Sequence, residues 1–373
     1  MITRAAVVQR AASDLSPTDE VRIGAEVEWL VFDRTDLLRA IDADQTTEIA
    51  SGDLPAGGRV TVEPGGQLEL VSAPHGDPVS LVEALAADTD VLVERFASRG
   101  LTLVALGLDP IRPPRRSLFA PRYDAMEAFF DVRGPEGRRM MSTTGSLQLN
   151  VDTGHDPAAT WRAAHALIPA FARAFANSPT ADGRTFTATS LRQRIWEAID
   201  PSRTAAVGEQ VDDWAEYALA AQVMAVERDG TLVPPNPPMT FDEWIGSATP
   251  PTAEDLERHL TTLFPPVRPR RFIELRMIDA LPAEGRTAAI ACAWSALVDQ
   301  PDVAEEIADD DPATAATALL DLGASGFAPH SELGRAARSW RYRLLRDHRW
   351  ASAEHLIDAT TERRGTRGPT VRA

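Results

Sequence analysis

The chain has 373 residues, of which 44% are hydrophobic and 25% charged, with a single cysteine and a formal net charge of -17. That balance belongs to a folded globular protein rather than a disordered one, and the excess of acid argues against non-specific binding to nucleic acid or anionic membranes. No lysine occurs, every Lys+Arg residue being arginine, so a Schiff-base lysine and a P-loop lysine are both excluded.

The length allows one elaborate domain or two ordinary ones. Cys292 cannot form an internal disulfide and sits in the apolar run "AAIACAWSALV", which reads as a buried helical thiol in a reducing compartment. The start "MITRAAVVQRAASD" has no apolar signal core, and no run approaches the ~20 residues that cross a bilayer. The expectation is a cytoplasmic protein with small-molecule partners, neither nucleic acid nor membrane among them. Its oligomeric state is left open, and a monomer fits.

In chain order, "IGAEVEWLVFD" alternates with period two. Ile23, Ala25, Val27, Trp29 and Val31 fall on one face, Gly24, Glu26, Glu28, Leu30 and Phe32 on the other. Both glutamates therefore point the same way. "RVTVEPGGQLELVS" reads as a hairpin turning at Pro64-Gly65-Gly66, and a three-residue loop puts Glu63, Gln67 and Glu69 on one face. Asp77-Pro78 supplies a helix start, Leu81, Leu85, Leu92 and Phe96 its buried stripe, and Gly100 its end. "LTLVAL" is a buried strand, and "STTGSLQLNVD" a further one with Ser146, Gln148, Asn150 and Asp152 on its polar face.

Helices are expected over about 158–176, 190–199 and 212–227, broken by proline and glycine. After the proline-rich stretches "VPPNPPMTF" and "FPPVRPRR", the strand "RRFIELRMIDA" places Phe272, Glu274, Arg276 and Ile278 on one face. From Ala283 the chain reads as helix, ending in a polar tail, "TERRGTRGPTVRA", expected to fray. Strands far apart in sequence and interrupted by helices argue for an α+β fold with an antiparallel sheet. Neither GxGxxG nor GxxxxGK[ST] is present, which removes the Rossmann and P-loop readings.

Glu26, Glu28, Glu63, Glu69 and Glu274 would repel one another on a shared cleft unless cations are present. Oxygen ligands without a Cys or His cluster favour Mg²⁺, or Mn²⁺, over Zn²⁺, and Mg²⁺ commonly arrives with phosphates, which makes Mg-ATP the expected cargo. Plainer readings stand beside this. Glu26 and Glu28 also suit a solvated strand face, Glu274 with Arg276 a surface ion pair, and Gln148 with Asn150 an ordinary polar sheet face. Arg192 and Arg194 suit a solvated helix face as well as a carboxylate or phosphate site, Trp196 suits the core, and His155 and His165 lack partners at ligand spacing.

Taken in order, "IGAEVEWLVFD", "VTVEPGGQLELVSAP", "MMSTTGSLQLNVD", "SLRQRIWEAIDPSRT" and "FIELRMIDALP" resemble the glutamate-cysteine ligase family, most closely the actinobacterial branch that starts ergothioneine biosynthesis. The resemblance implies a glutamine-synthetase-like fold: a curved antiparallel sheet forming a funnel, helices packed outside, and a helical C-terminal region. It implies a single catalytic domain over 1–373, with sheet-forming blocks at about 22–282 and the helical part at about 283–366. It implies that Mg-ATP phosphorylates the γ-carboxylate of L-glutamate and that the amine of L-cysteine then displaces phosphate, giving γ-glutamylcysteine, ADP and phosphate.

By position, the resemblance makes Glu26, Glu28, Glu63, Glu69 and Glu274 metal ligands, with Glu28 and Glu274 also holding the Mg-ATP. Arg276 becomes the catalytic group that stabilises the transferred phosphoryl. Gln67, Gln148, Asn150 and Arg192 are expected to orient substrate glutamate. Related ligases often carry histidine on the strand equivalent to "SLQLNVD", so Gln148 and Asn150 are left out of the metal set. A sibling ligase joining another amine, a metal-dependent phosphohydrolase and a non-catalytic binding homologue remain as alternatives.

Overall fold

A computed structural model describes residues 2–181, 184–185, 190–228, 230–345 and 353–365. The expected alternation appears as strand β1, Ile23–Asp33, with Ala25, Val27, Trp29 and Val31 buried on one side. Strands β2, Arg59–Val62, and β3, Leu68–Val71, form the expected hairpin, in which Glu63 N donates to Gln67 O at 2.9 Å. Its tip requires glycine twice. Gly66 has φ +88°, and a Cβ on Gly65 would stand 2.2 Å from the Ser142 carbonyl oxygen.

The remaining strands are β4, Leu101–Val104; β5, Ser146–Asp152; β6, Thr180–Ala181; β7, Arg184–Thr185; β8, Val226–Arg228; β9, Thr231–Val233; β10, Val267–Pro269; and β11, Phe272–Asp279. Seven of them build one sheet in the order β10-β11-β5-β1-β3-β2, with β4 also on β1, while β6-β7 and β8-β9 are separate pairs. Every ladder of the main sheet is antiparallel, as the α+β reading expects.

One face of this sheet is covered by helices. Pro78–Ala97 starts where Asp77 accepts from Ser80 N at 2.9 Å, and Leu81, Leu85, Leu92 and Phe96 are buried. The helices Ala283–Trp294, Pro312–Ser325 and Glu332–Leu344 follow the last strand, so the sheet and the C-terminal helices share one apolar core. Cys292 is fully buried there, as expected, with Sγ directed at the Leu319 carbonyl. Burial pushes its thiol far above the ordinary range.

Four local expectations are corrected. The helix expected over 158–176 is two, Pro157–Ala166 and Ile168–Ala174, the second restarting on Pro169. The one expected over 212–227 stops at Ala220, because the backbone beyond it bonds to another segment, Val223 N to Met239 O and Phe241 N to Ala221 O. Part of "FPPVRPRR" is strand β10. The tail from 361 to 365 does not fray: Thr361 bridges Val104, Glu362 N donates to Leu103 O at 2.8 Å, and the Glu362 carboxylate is buried against Arg286 and Trp29 Nε1. This strap covers backbone groups of β4 that would otherwise be unpaired. Residues 366–373 lie outside the described residues.

Candidate functional site

Residues directly opposite in an antiparallel ladder share a face. The registers therefore assemble the polar side chains of distant segments into rows. Glu69 of β3 lies opposite Glu28 of β1, and Thr61 of β2 opposite Glu69. Glu26 lies opposite Gln148 of β5, and Asn150 opposite Glu274 of β11, which faces Arg268 of β10. The same face of β1 continues into Leu30 and Phe32, which are sealed by Leu356 and Ile357 of the helix Ala353–Thr360.

Hydrogen bonds fix these carboxylates. Ser146 donates to Glu28 twice, from N to Oε2 at 2.9 Å and from Oγ to Oε1 at 2.8 Å, and Gln148 Nε2 lies 3.4 Å from the same Oε1. Asn150 Nδ2 donates to Glu26 Oε1 at 3.1 Å, while its own Oδ1 is buried without a donor. Thr61 Oγ1 donates to Glu69. Arg276 Nη1 donates to Gln148 Oε1 and stands 3.3 Å from Glu274 Oε1.

The electrostatics divide the glutamates into two kinds. Burial, together with the charges of Glu28 and Glu26, pushes Glu63 up to about 7, although Arg122 offsets part of this. Burial and the charge of Glu63 push Glu69 up to about 9. Glu26 and Glu28 are raised too, chiefly by burial. Glu274 behaves oppositely: burial disfavours its charge, but Arg268 and Arg276 outweigh that and hold it at about 2. Tyr123, on the helix Pro121–Asp131, is raised by burial and then by Glu63, which places it beside the same cluster.

Four carboxyl groups short of positive charge, with amide and hydroxyl oxygens beside them, fit a hard divalent cation. Convergence is not complete: among the described residues, no three Asp, Glu, His or Cys side chains come together at metal-holding distance. Glu274 departs furthest from the expected ligand role. It is 0% exposed, and both of its oxygens take hydrogen bonds from Arg268, so a cation reaches it only if Arg268 yields its place.

Two further expected substrate contacts are tied to the backbone. Gln67 is buried and ties the hairpin down: its Oε1 accepts from Gly65 N, and its Nε2 donates to Thr144 O at 3.0 Å. Arg192 is 3% exposed and donates to the carbonyls of Arg276 and Ile278. Ile278 itself leaves the face expected for it. Its pairing with Leu147 follows a register shift after Leu275, and it is buried in the core. Arg268, Thr61 and Tyr123 were not picked out from sequence, and Ser146 only as part of a polar strand face. Arg268 lay inside a proline-rich stretch that hides a strand.

Arg276 also borders a cavity of about 430 Å³ whose walls include Trp196, Phe264, Pro266, Met277 and Gln193. Its guanidinium lies 5.8 Å from the ring centres of both Trp196 and Phe264. The arginine thus stands between an acidic floor and an aromatic-walled space.

The sequence profile of glutamate-cysteine ligase family 2 matches residues 22–327, a span that includes every strand described above. The chain is 41% identical over 306 residues to the glutamate-cysteine ligase EgtA of Mycolicibacterium smegmatis, covering 77% of this chain and 71% of that one. It is 39% identical over 319 residues to the glutamate-cysteine ligase EgtA of Mycobacterium tuberculosis, covering 80% and 72%. Among solved structures, a glutamate-cysteine ligase from Francisella tularensis in complex with AMP aligns with TM-score 0.51 at 11% identity, covering 88% of this chain and 82% of that one. A bifunctional glutathione synthetase from Pasteurella multocida aligns with TM-score 0.53 at 14% identity, covering 94% and 51%. These two share the fold, an antiparallel sheet with helices packed on it. By the span of the profile match and by its identity to the mycobacterial ligases, the chain belongs to glutamate-cysteine ligase family 2.

Proposed function

We propose that the protein is an ATP-dependent glutamate-cysteine ligase of ergothioneine biosynthesis, working on L-glutamate, L-cysteine and ATP in the cytoplasm. The observation that carries the reading is the gathering of Glu26, Glu28, Glu63, Glu69 and Arg276 on one sheet face in a chain of this family. An oxygen of the glutamate γ-carboxylate attacks the γ-phosphorus of ATP, and the bond to ADP breaks. The amine nitrogen of cysteine then attacks the acyl carbon, loses a proton, and phosphate leaves.

Glu26, Glu28, Glu63 and Glu69 are the proposed holders of Mg²⁺, with Glu274 joining them once Arg268 is displaced. Bound there, the cation supplies neutralisation of phosphate charge. Glu28 is held by Ser146 in a fixed orientation, and Arg276 is the proposed catalytic residue, aimed by Gln148 and Glu274 toward the transferred phosphoryl. Gln148 and Asn150, the latter with an acceptor still free, remain the proposed contacts for substrate glutamate. Gln67 and Arg192, which also bond to backbone carbonyls, stay in the proposed set.

The test is ADP release from Mg-ATP and L-glutamate, with L-cysteine, L-serine, ammonia or no amine in parallel, and product masses recorded. Cysteine-dependent ADP with a γ-glutamylcysteine mass is the expected result. ADP driven by a different amine would replace the acceptor, and release of phosphate without glutamate would replace the ligase with a hydrolase.

A further inference from the structure

Strand β11 carries an irregularity at the place where it presents Arg276. Leu275 pairs with Leu149 of β5, and the next pairing is Ile278 with Leu147, so Arg276 and Met277 together oppose the single residue Gln148. That is a β-bulge: Arg276 keeps the face of Glu274 and Gln148, and the extra residue shifts the alternation beyond it, turning Ile278 into the core. Its three successive carbonyls are all taken by two adjacent side chains at the start of the helix Leu191–Ile199. Arg192 Nη2 donates to Arg276 O at 3.1 Å and Nη1 to Ile278 O at 3.4 Å, while Gln193 Nε2 donates to Met277 O at 2.7 Å.

The helix start is itself bolted to the end of the strand. Ser190 Oγ caps the helix by accepting from Gln193 N at 3.0 Å and donates to Asp279 Oδ1 at 2.7 Å. Asp279 Oδ2 accepts from Ser178 Oγ and from Asn177 N, each at 2.7 Å, and Ser178 Oγ in turn accepts from Arg192 N at 3.1 Å. Asp279 is fully buried. A buried network with its members paired in this way sets one geometry and resists others.

We infer that Arg192 and Gln193 are positioning residues, a clamp that holds the bulge so that the Arg276 guanidinium is turned onto Gln148 and Glu274. Without the clamp, the bulge carbonyls lose their partners and the backbone at Arg276 is free to move, which lets the guanidinium drift off Gln148. The inference deepens the proposed function and rests on it in one respect, that Arg276 serves turnover. A shift of about 1 Å in such a group costs roughly 10²-fold in rate.

The decisive substitution is Gln193→Met, which keeps the side chain's length and deletes one hydrogen bond. A crystal structure of this variant should show Arg276 withdrawn from Gln148; an Arg276 that stays in place overturns the clamp, whatever the enzyme's activity. In turnover, kcat should fall roughly 10-fold or more with KM for ATP and glutamate within about 2-fold, and Gln193→Glu, whose carboxylate cannot donate to the carbonyl, should not rescue it. Adding Gln193→Met to Arg276→Ala should cost nothing further, because the clamp acts only through Arg276. Additive losses would assign Gln193 a role of its own. A wild-type protein with no glutamate-dependent turnover would sink the proposed function, and the crystal structure would still decide the clamp.

Discussion

Arg268 closes on Glu274 across the β10–β11 ladder through two hydrogen bonds, Nε to Oε2 at 2.5 Å and Nη2 to Oε1 at 3.0 Å. Both side chains are buried, and the pair occupies the carboxylate at one edge of the acidic floor. Removing one partner of a buried pair leaves the other charge poorly compensated. Arg268→Gln should therefore lower the free energy of unfolding by about 3–5 kcal/mol, read from urea denaturation. The same variant should bind Mn²⁺ more tightly, because Arg276 alone then competes for Glu274. Unchanged Mn²⁺ affinity in a folded variant would remove Glu274 from the metal set.

The raised carboxyls make stability depend on pH in a definite direction. Glu63 at about 7 and Glu69 at about 9 both lie above the ordinary 4.5, so the native state binds more protons than the unfolded chain between these values. Stability from this source is full below about 4.5 and is lost as pH rises through about 7 and then about 9. Mg²⁺ should restore it, and more so at the alkaline end, where no proton has to be displaced. Thermal melts across this range with and without Mg²⁺ check both statements. Glu69→Gln should flatten the slope, and a slope that survives it would place its source elsewhere.

Glu28→Gln keeps the shape of a side chain that Ser146 holds by two hydrogen bonds but removes its charge. ADP release should fall by roughly 10²-fold or more while the melting temperature changes little. Raising Mg²⁺ should recover part of the loss. Full activity in this variant would exclude Glu28 as a metal ligand.

Arg276→Ala removes the positive charge that faces Gln148 and Glu274. If it stabilises charge that develops during transfer, kcat should drop roughly 10²- to 10³-fold with KM for ATP altered only a few-fold. Equal losses in kcat and in ATP affinity would assign it to ground-state binding.

What the sequence disclosed was whatever local periodicity and turn chemistry encode. The two-residue alternation of Ile23–Asp33 put Glu26 and Glu28 on one face, and Pro64-Gly65-Gly66 set the hairpin register that brings Glu69 opposite Thr61. Asp77-Pro78 marked its helix for the same reason. Period-two reasoning failed at Ile278, because a bulge held by a distant helix shifts the alternation and leaves no mark in the strand's own residues. Arg192 and Gln67 stood out in the sequence as polar groups near a motif, but what they bond to did not. Their partners, the carbonyls of Arg276, Ile278 and Thr144, are backbone groups that no side-chain pattern advertises. Glu362 was hidden likewise, since a glutamate in a polar tail gives no hint of a buried arginine far away in the chain.

The central claim is that the acidic floor and Arg276 serve the phosphorylation of a carboxylate. The most direct measurement supplies L-glutamate with heavy oxygen in its γ-carboxylate, together with Mg-ATP and L-cysteine, and determines the mass of the phosphate released. Activation through an acyl phosphate transfers one heavy oxygen from glutamate to phosphate in each turnover, and that is the predicted result. Phosphate formed in step with product but free of heavy oxygen would contradict the account.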